Sequence, residues 1–104
     1  MLEKEIQKAI IEYLQIYENL GKLYFFRSGS GAIPTKQGGY FKTGKVGCPD
    51  ISCLHKGKYY GFEVKNEKGI QSENQKIAEK NIVRAGGVYE IVRSVGDVER
   101  VLDL

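Results

Sequence analysis

Two short stretches of the sequence carry side chains that could do chemistry together. One is Pro49-Asp50; the other, thirteen residues beyond Asp50, is Glu63-Val64-Lys65. Side chains alternate along a β-strand, so Glu63 and Lys65 on one strand point the same way, about 7 Å apart, while Val64 faces the opposite side. If His55-Lys56-Gly57 forms the turn of a hairpin, Asp50 begins the neighbouring strand, across from the end that carries Glu63 and Lys65. Two carboxylates and one ammonium then converge at one end of a sheet. Carboxylate oxygens are hard ligands that suit Mg2+ or Mn2+ rather than zinc, and Mg2+ takes one or two carboxylates together with waters and a substrate phosphate. Taken alone, a Glu-x-Lys is as readily an exposed ion pair worth about 0–1 kcal/mol. The ordered set of Pro-Asp at a strand start, a hairpin, Glu-x-Lys and then a helix is what singles these residues out.

A second feature is a basic stretch. No Asp or Glu occurs between Asn19 and Pro49, whereas Lys22, Arg27, Lys36, Lys42 and Lys45 do, interleaved with Tyr24, Phe25, Phe26, Tyr40 and Phe41 and with six glycines from Gly29 to Gly47. Such a segment suits a phosphate backbone, and it equally suits a solvated loop whose lysines keep it soluble. Residues 29–47 read as a long Gly-rich loop, a length that in a small domain usually signals function or disorder.

The elements that must position these residues can be read from periodicity. Ile6, Ile10, Tyr13 and Tyr17, widened by Ala9 and Leu14, predict an amphipathic helix over 3–19, with Gly21 at its C-terminal end. Residues 23–28, 50–54, 58–65 and 88–92 read as strands. Ser72 with Gln75 three residues on matches a capping box that opens a second helix, with Ile77, Ala78, Ile82 and Ala85 as its apolar face and Gly86-Gly87 at its end. Ser94 caps a short last helix containing Val95, Val98, Val101 and Leu102. His55 is expected in the hairpin turn. Cys48, Cys53 and His55 lie close together, but three ligands without a fourth make a poor structural zinc site.

Composition narrows the class. The chain has 104 residues, which suits one domain spanning 1–104. With 41% hydrophobic and 28% charged residues it resembles an ordinary globular protein rather than a disordered one. No apolar run approaches the roughly 20 residues of a membrane span, and the N-terminus lacks a signal-peptide layout. Two cysteines fit a reducing compartment, so a soluble intracellular protein with no membrane partner is expected.

In ordered detail the sequence resembles the PD-(D/E)XK nuclease superfamily, and most closely its VRR-NUC (virus-type replication-repair nuclease) family. The resemblance runs over nearly the whole chain. It rests on Glu3-Lys4-Glu5-Ile6-Gln7, Phe26-Arg27-Ser28-Gly29-Ser30-Gly31-Ala32, Gly47-Cys48-Pro49-Asp50-Ile51, Gly61-Phe62-Glu63-Val64-Lys65, Gln71-Ser72-Glu73-Asn74-Gln75 and Gly86-Gly87-Val88-Tyr89. It implies an α/β fold: a restriction-endonuclease-like αβββαβ core, with a mixed central sheet flanked by helices and a short C-terminal helix.

By the same resemblance, Asp50, Glu63 and the backbone carbonyl of Val64 bind Mg2+ or Mn2+. Glu3 matches the family's N-terminal acidic residue, with Glu5 one helical step off register, and Gln75 matches its helix glutamine beside the active site. The implied reaction is metal-assisted hydrolysis of a DNA phosphodiester, with water attacking phosphorus in line with the leaving oxygen. Lys65, flanked by two carboxylates that favour its charged form, would orient the nucleophile and stabilise the phosphate. Arg27, Lys36, Lys42 and Lys45 would contact the DNA. The expected protein is a structure-specific endonuclease of branched DNA (a Holliday junction or flap), acting as a homodimer. The alternatives are a non-catalytic nucleic-acid-binding module and a nuclease subunit of a larger replication or repair assembly.

Overall fold

The computed structural model describes residues 1–29 and 31–104, and for residues 31–33 and 41–43 the backbone alone. The elements run α1 (Glu3–Asn19), β1 (Tyr24–Arg27), β2 (Gly31–Pro34), β3 (Tyr40–Thr43), β4 (Ile51–His55), β5 (Lys58–Val64), α2 (Glu73–Arg84), β6 (Val88–Val92) and α3 (Val95–Leu102). Four strands form the central sheet in the order β1-β4-β5-β6, with β1, β4 and β5 antiparallel and β6 parallel to β5. This is the mixed sheet of the expected αβββαβ core, with α3 appended. The parallel pairing follows from the crossover: α2 lies between β5 and β6, as a parallel connection requires.

One face of the sheet carries α1 and α3. Ile6, Ile10 and Leu14 of α1 and Val98 and Leu102 of α3 are buried there against Ile51, Cys53, Phe62, Val64 and Val92. Tyr13 and Tyr17 pack at the margin, while Ala9 is exposed and does not widen the stripe. The opposite face carries α2, and here the structure departs from expectation. No α2 residue is buried, and Ile77 and Val83 are more than half exposed. A groove of about 300 Å3 opens between Ile77, Ala78 and Ile82 on one side and Val46, Cys48 and Pro49 on the other. The helix is held chiefly at its N-terminus. Ser72 Oγ accepts from the Gln75 N–H at 3.2 Å, and Gln75 Oε1 accepts from the Ser72 N–H at 2.9 Å.

Two further local readings are corrected. Residues 29–47 are not one long loop, because β2 and β3 pair as an antiparallel hairpin forming its own two-stranded sheet. Its turn is built by Thr35, whose N–H donates to Gly39 O at 2.9 Å, and by Gly38 at φ +89°. His55 is the last residue of β4, not part of the turn. It is 4% exposed, and its Nδ1 lies 2.7 Å from Lys22 O. The turn is Lys56-Gly57 alone, both with positive φ (51° and 75°). That is the primed two-residue turn whose twist matches paired strands.

Candidate active site

Register brings the carboxylates together. β4 and β5 pair Ile51 with Phe62 and Ser52 with Gly61, so one further step sets Asp50 opposite Glu63. Asp50 is fixed by the backbones around it. Its carbonyl accepts from the N–H groups of Ser28 (2.9 Å) and Gly29 (3.3 Å), and its Oδ2 accepts from the Val64 N–H at 2.8 Å. A chain of hydroxyls holds the residue before it. Ser28 Oγ donates to Pro49 O (2.8 Å), Ser52 Oγ donates to Ser28 Oγ (2.7 Å), and Tyr59 OH lies 2.8 Å from Ser52 Oγ. Because the Ser52 proton is committed to Ser28, the Tyr59 hydroxyl is the donor of that last bond. Cys48 Sγ donates to Ser28 O.

Two glycines make this packing possible. A Cβ at Gly61 would stand 2.5 Å from Pro49 Cγ, and one at Gly29 would stand 3.3 Å from Asp50 Oδ1.

Glu63 lies on the α2 face and is 3% exposed, between the core residues Phe62 and Val64, which face the other way. Its Oε2 accepts from Gln75 Nε2 at 3.0 Å and lies 3.7 Å from Lys65 Nζ. Its Oε1 is buried with no hydrogen-bond partner. Burial, reinforced by the Asp50 charge and only partly offset by Lys65, pushes the Glu63 carboxyl up to about 8. Gln75 thus fills both of its anticipated roles at once, with Oε1 closing the capping box and Nε2 holding Glu63.

In a strand ladder a residue's N–H and C=O point to the same side, so the Val64 carbonyl also faces the Pro49-Asp50 segment. Pro49, which the continued register sets opposite Val64, has no N–H to give it.

Glu3 and Glu5 are separated by what they touch. Glu5 Oε1 accepts from the Leu2 N–H at 3.0 Å and so caps α1. Glu3 reaches the turn after β5: a Cβ at Gly69 would lie 2.9 Å from Glu3 Oε2 and 3.1 Å from both Cβ and Cδ of Lys65. That turn is strapped down by Arg93, which donates to Asn66 O and to Gly69 O.

Among the described residues no group of three or more His, Cys, Asp and Glu converges as a metal cage. The donors that do converge are oxygens: the Asp50 carboxylate, the unpaired Glu63 Oε1 and the Val64 carbonyl. This set fits a hard divalent ion completing its shell with water and a phosphate, and fits zinc poorly.

Asp50, Glu63, Lys65, Gln75 and Glu3 are therefore neighbours. The described basic residues expected to contact DNA are exposed. Arg27 is exposed at the end of β1, Lys36 is exposed in the hairpin turn, and Lys45 is exposed in the turn leading from β3 back to Pro49. The Lys42 side chain lies outside the described residues. Sequence reasoning gave no role to Ser28, Ser52, Tyr59, Gly69 or Arg93. Their parts depend on contacts across 7 to 66 positions of chain, for which no local pattern exists. The close approaches at Gly29 and Gly61 were visible only as glycines inside quoted motifs.

No family model matches the sequence, and no curated protein does. A solved structure described as a "VRR_NUC domain" is similar to this chain over 97% of its residues and 94% of that structure's own, with a TM-score of 0.65 and 20% sequence identity. With the strand order, the crossover helix and the placement of Asp50 and Glu63 all in view, the fold of this chain is that of a VRR-NUC domain.

Proposed function

We propose that the chain is a divalent-metal-dependent endonuclease that hydrolyses phosphodiester bonds in branched DNA, such as a four-way junction or a flap. The observation that carries this reading is the buried, unpaired Oε1 of Glu63, set across from Asp50 at the end of a sheet where the Lys65 amine stands alongside. A binding module needs none of these three groups in this arrangement, and burying them without a ligand costs stability.

Asp50, Glu63 and the Val64 carbonyl would hold Mg2+ or Mn2+, which when bound supplies Lewis-acid polarisation of the phosphate and a more acidic water. Lys65 aims three N–H donors at the non-bridging phosphate oxygens and the attacking water. Gln75 holds the Glu63 carboxylate through Oε2, which would leave Oε1 open to the cation. Glu3 bounds the pocket on the side of the Lys65 stem. Lys36 in the hairpin turn, Lys45 in the turn that follows β3 and Arg27 on β1 would supply sequence-independent contacts to DNA phosphates.

A homodimer suits a four-way junction, since a two-fold axis sets two sites on opposed strands. The half of the sheet that α2 leaves bare carries Tyr24, Phe26 and Leu54, each at least half exposed, and offers an apolar face for the second copy. Among the described residues no helix is long and apolar enough to cross a membrane, and the cytoplasm of a bacterial cell or phage-infected host is the proposed setting.

The test is incubation with end-labelled four-way junction, flap and plain duplex in Mg2+, Mn2+ or EDTA, with light scattering to give the mass in solution. Cutting of the branched substrates that needs the metal supports the proposal. Absence of cutting under every condition by the folded protein refutes it.

A further inference from the structure

On the outer side of α1, away from the core, Lys4, Gln7, Lys8, Ile11 and Glu12 line a cleft of about 440 Å3 together with Arg27 from the end of β1. Three cations and one carboxylate meet there, and among the described residues none of the three cations is in an ion pair.

Lys4 occupies the first turn of the helix, where the N-terminal end of the dipole disfavours a cation. Lys4 and Lys8 are four apart, a spacing at which like charges repel. Lys8 has Glu5 three before it and Glu12 four after it, spacings at which opposite charges attract, yet among the described residues it pairs with neither. Arg27 then adds a third positive charge from a neighbouring strand. A disfavoured Lys4 gathered in one cleft with an unpaired Lys8 and an unpaired Arg27 marks a surface kept for a ligand. That ligand must be anionic.

The cleft borders the candidate active site by two routes. Arg27 pairs in register with Ile51, the residue after Asp50, and Gly29 two positions on lies against Asp50 itself. Lys4 follows Glu3, whose carboxylate stands beside Gly69 and the Lys65 stem. A phosphate in the cleft therefore belongs to a strand passing the carboxylates on the side of β1 and α1.

We infer that Lys4, Lys8 and Arg27 form a backbone-phosphate site for DNA flanking the scissile bond, a site distinct from the hairpin contacts. The inference rests on the nuclease reading above. Its ligand is a phosphodiester, read without base specificity, since lysines act as point charges and the cleft otherwise offers only Gln7, Ile11 and Glu12.

The experiment uses the full chain carrying Asp50→Asn, in EDTA, with a fluorescent four-way junction or a plain duplex. Anisotropy is followed over a salt series, with and without the pair Lys4→Gln and Lys8→Gln. Each phosphate contact contributes about 0.9 to the slope of log affinity against log salt. The pair should weaken binding of both DNAs and flatten the slope by about 2, and adding Arg27→Gln should flatten it by about one more. The melting temperature should change little, because surface substitutions usually act within about 0.5 kcal/mol. A role in holding the fold would lower it.

An unchanged slope overturns the site, and so does a fall in melting temperature that accounts for the lost binding. Replacement of chloride by inorganic phosphate at matched ionic strength should not displace the DNA further. If it does, the cleft takes free phosphate and the assignment to a DNA backbone fails. Cleavage by the unsubstituted protein is scored separately. A flattened slope without cutting would sink the nuclease reading and leave the cleft standing, and cutting with an unchanged slope would do the reverse.

Discussion

Replacing Gly61 by alanine is the smallest change that should disarm the site without touching any group assigned to chemistry. Gly61 lies outside the left-handed region, so alanine there meets no backbone strain. The new methyl would fall 2.5 Å from Pro49 Cγ and 3.1 Å from both Pro49 Cβ and Tyr59 OH. Ordinary carbon contacts lie at about 3.5–4 Å, so the proline ring must retreat by roughly 1 Å. A proline ring cannot swing away on its own torsions, because it is part of the main chain, and Asp50 must move with it. The retreat would also strain the hydroxyl chain from Tyr59 through Ser52 and Ser28 to the Pro49 carbonyl. Overpacking of this kind costs about 1–3 kcal/mol of stability, about 4–8 °C of melting temperature per kcal/mol in a domain this small. Displacing one carboxylate by 1 Å from its partner should lower the cleavage rate about 10²-fold.

Gly57→Ala is the matched control. It has φ +75° with nothing within 4 Å of the added carbon, so it should cost about 1 kcal/mol far from the site. The assay is single-turnover cleavage of a junction in Mg2+, beside urea denaturation of both variants. If folded Gly61→Ala protein cuts within threefold of the parent, the argument that Pro49 sets the position of Asp50 is wrong.

Three further outcomes follow from the same geometry. The Glu63 carboxyl is held above its ordinary 4.5, at about 8, so its contribution to stability is full below pH 4.5 and is lost as pH rises through 8. In EDTA the melting temperature of the parent should fall across that window, Glu63→Gln should flatten the fall, and Mn2+ affinity measured by calorimetry should rise with pH over the same range. Gln75→Glu keeps the capping box, since either residue serves there, but sets a carboxylate against Glu63 Oε2; helix content by circular dichroism should be unchanged while cleavage falls at least tenfold. On the proposed division of roles, in which Lys65 serves the phosphate and water rather than the ion, Lys65→Met should abolish cutting yet leave Mn2+ binding intact, and loss of Mn2+ binding by the folded variant would contradict that division.

The elements that sequence reasoning located best are those whose signals are local. The helix over 3–19, the strand over 88–92 and the two Ser caps at 72 and 94 depend on spacing within one or two turns, and they stand where expected. Asp50 and Glu63 were legible because a two-residue turn ties their register. The hairpin of β2 and β3 was lost among its glycines, although Gly38-Gly39 between Ile33 and Tyr40-Phe41 is itself a hairpin signal. The exposed state of Ile77 could not be read at all. An apolar face along a helix records what could be buried, and whether a neighbour arrives to bury it is decided by the rest of the chain. That Glu3 rather than Glu5 reaches Gly69, sixty-six residues away, likewise had no local signal.

That bare α2 has a consequence for how the site fails. Local opening free energies follow the apolar contacts an element would lose, and an element with few of them unfolds long before the whole. α2 carries no buried residue, whereas β5 beside it ends in four. Its amides should therefore exchange with solvent through small openings that leave the sheet closed, and each opening takes Gln75 away from Glu63. Warming would then unhook the glutamine and idle the carboxylate while the strands still read as native by circular dichroism, and a DNA strand or a second chain laid along Ile77 and Val83 would raise the temperature at which that happens.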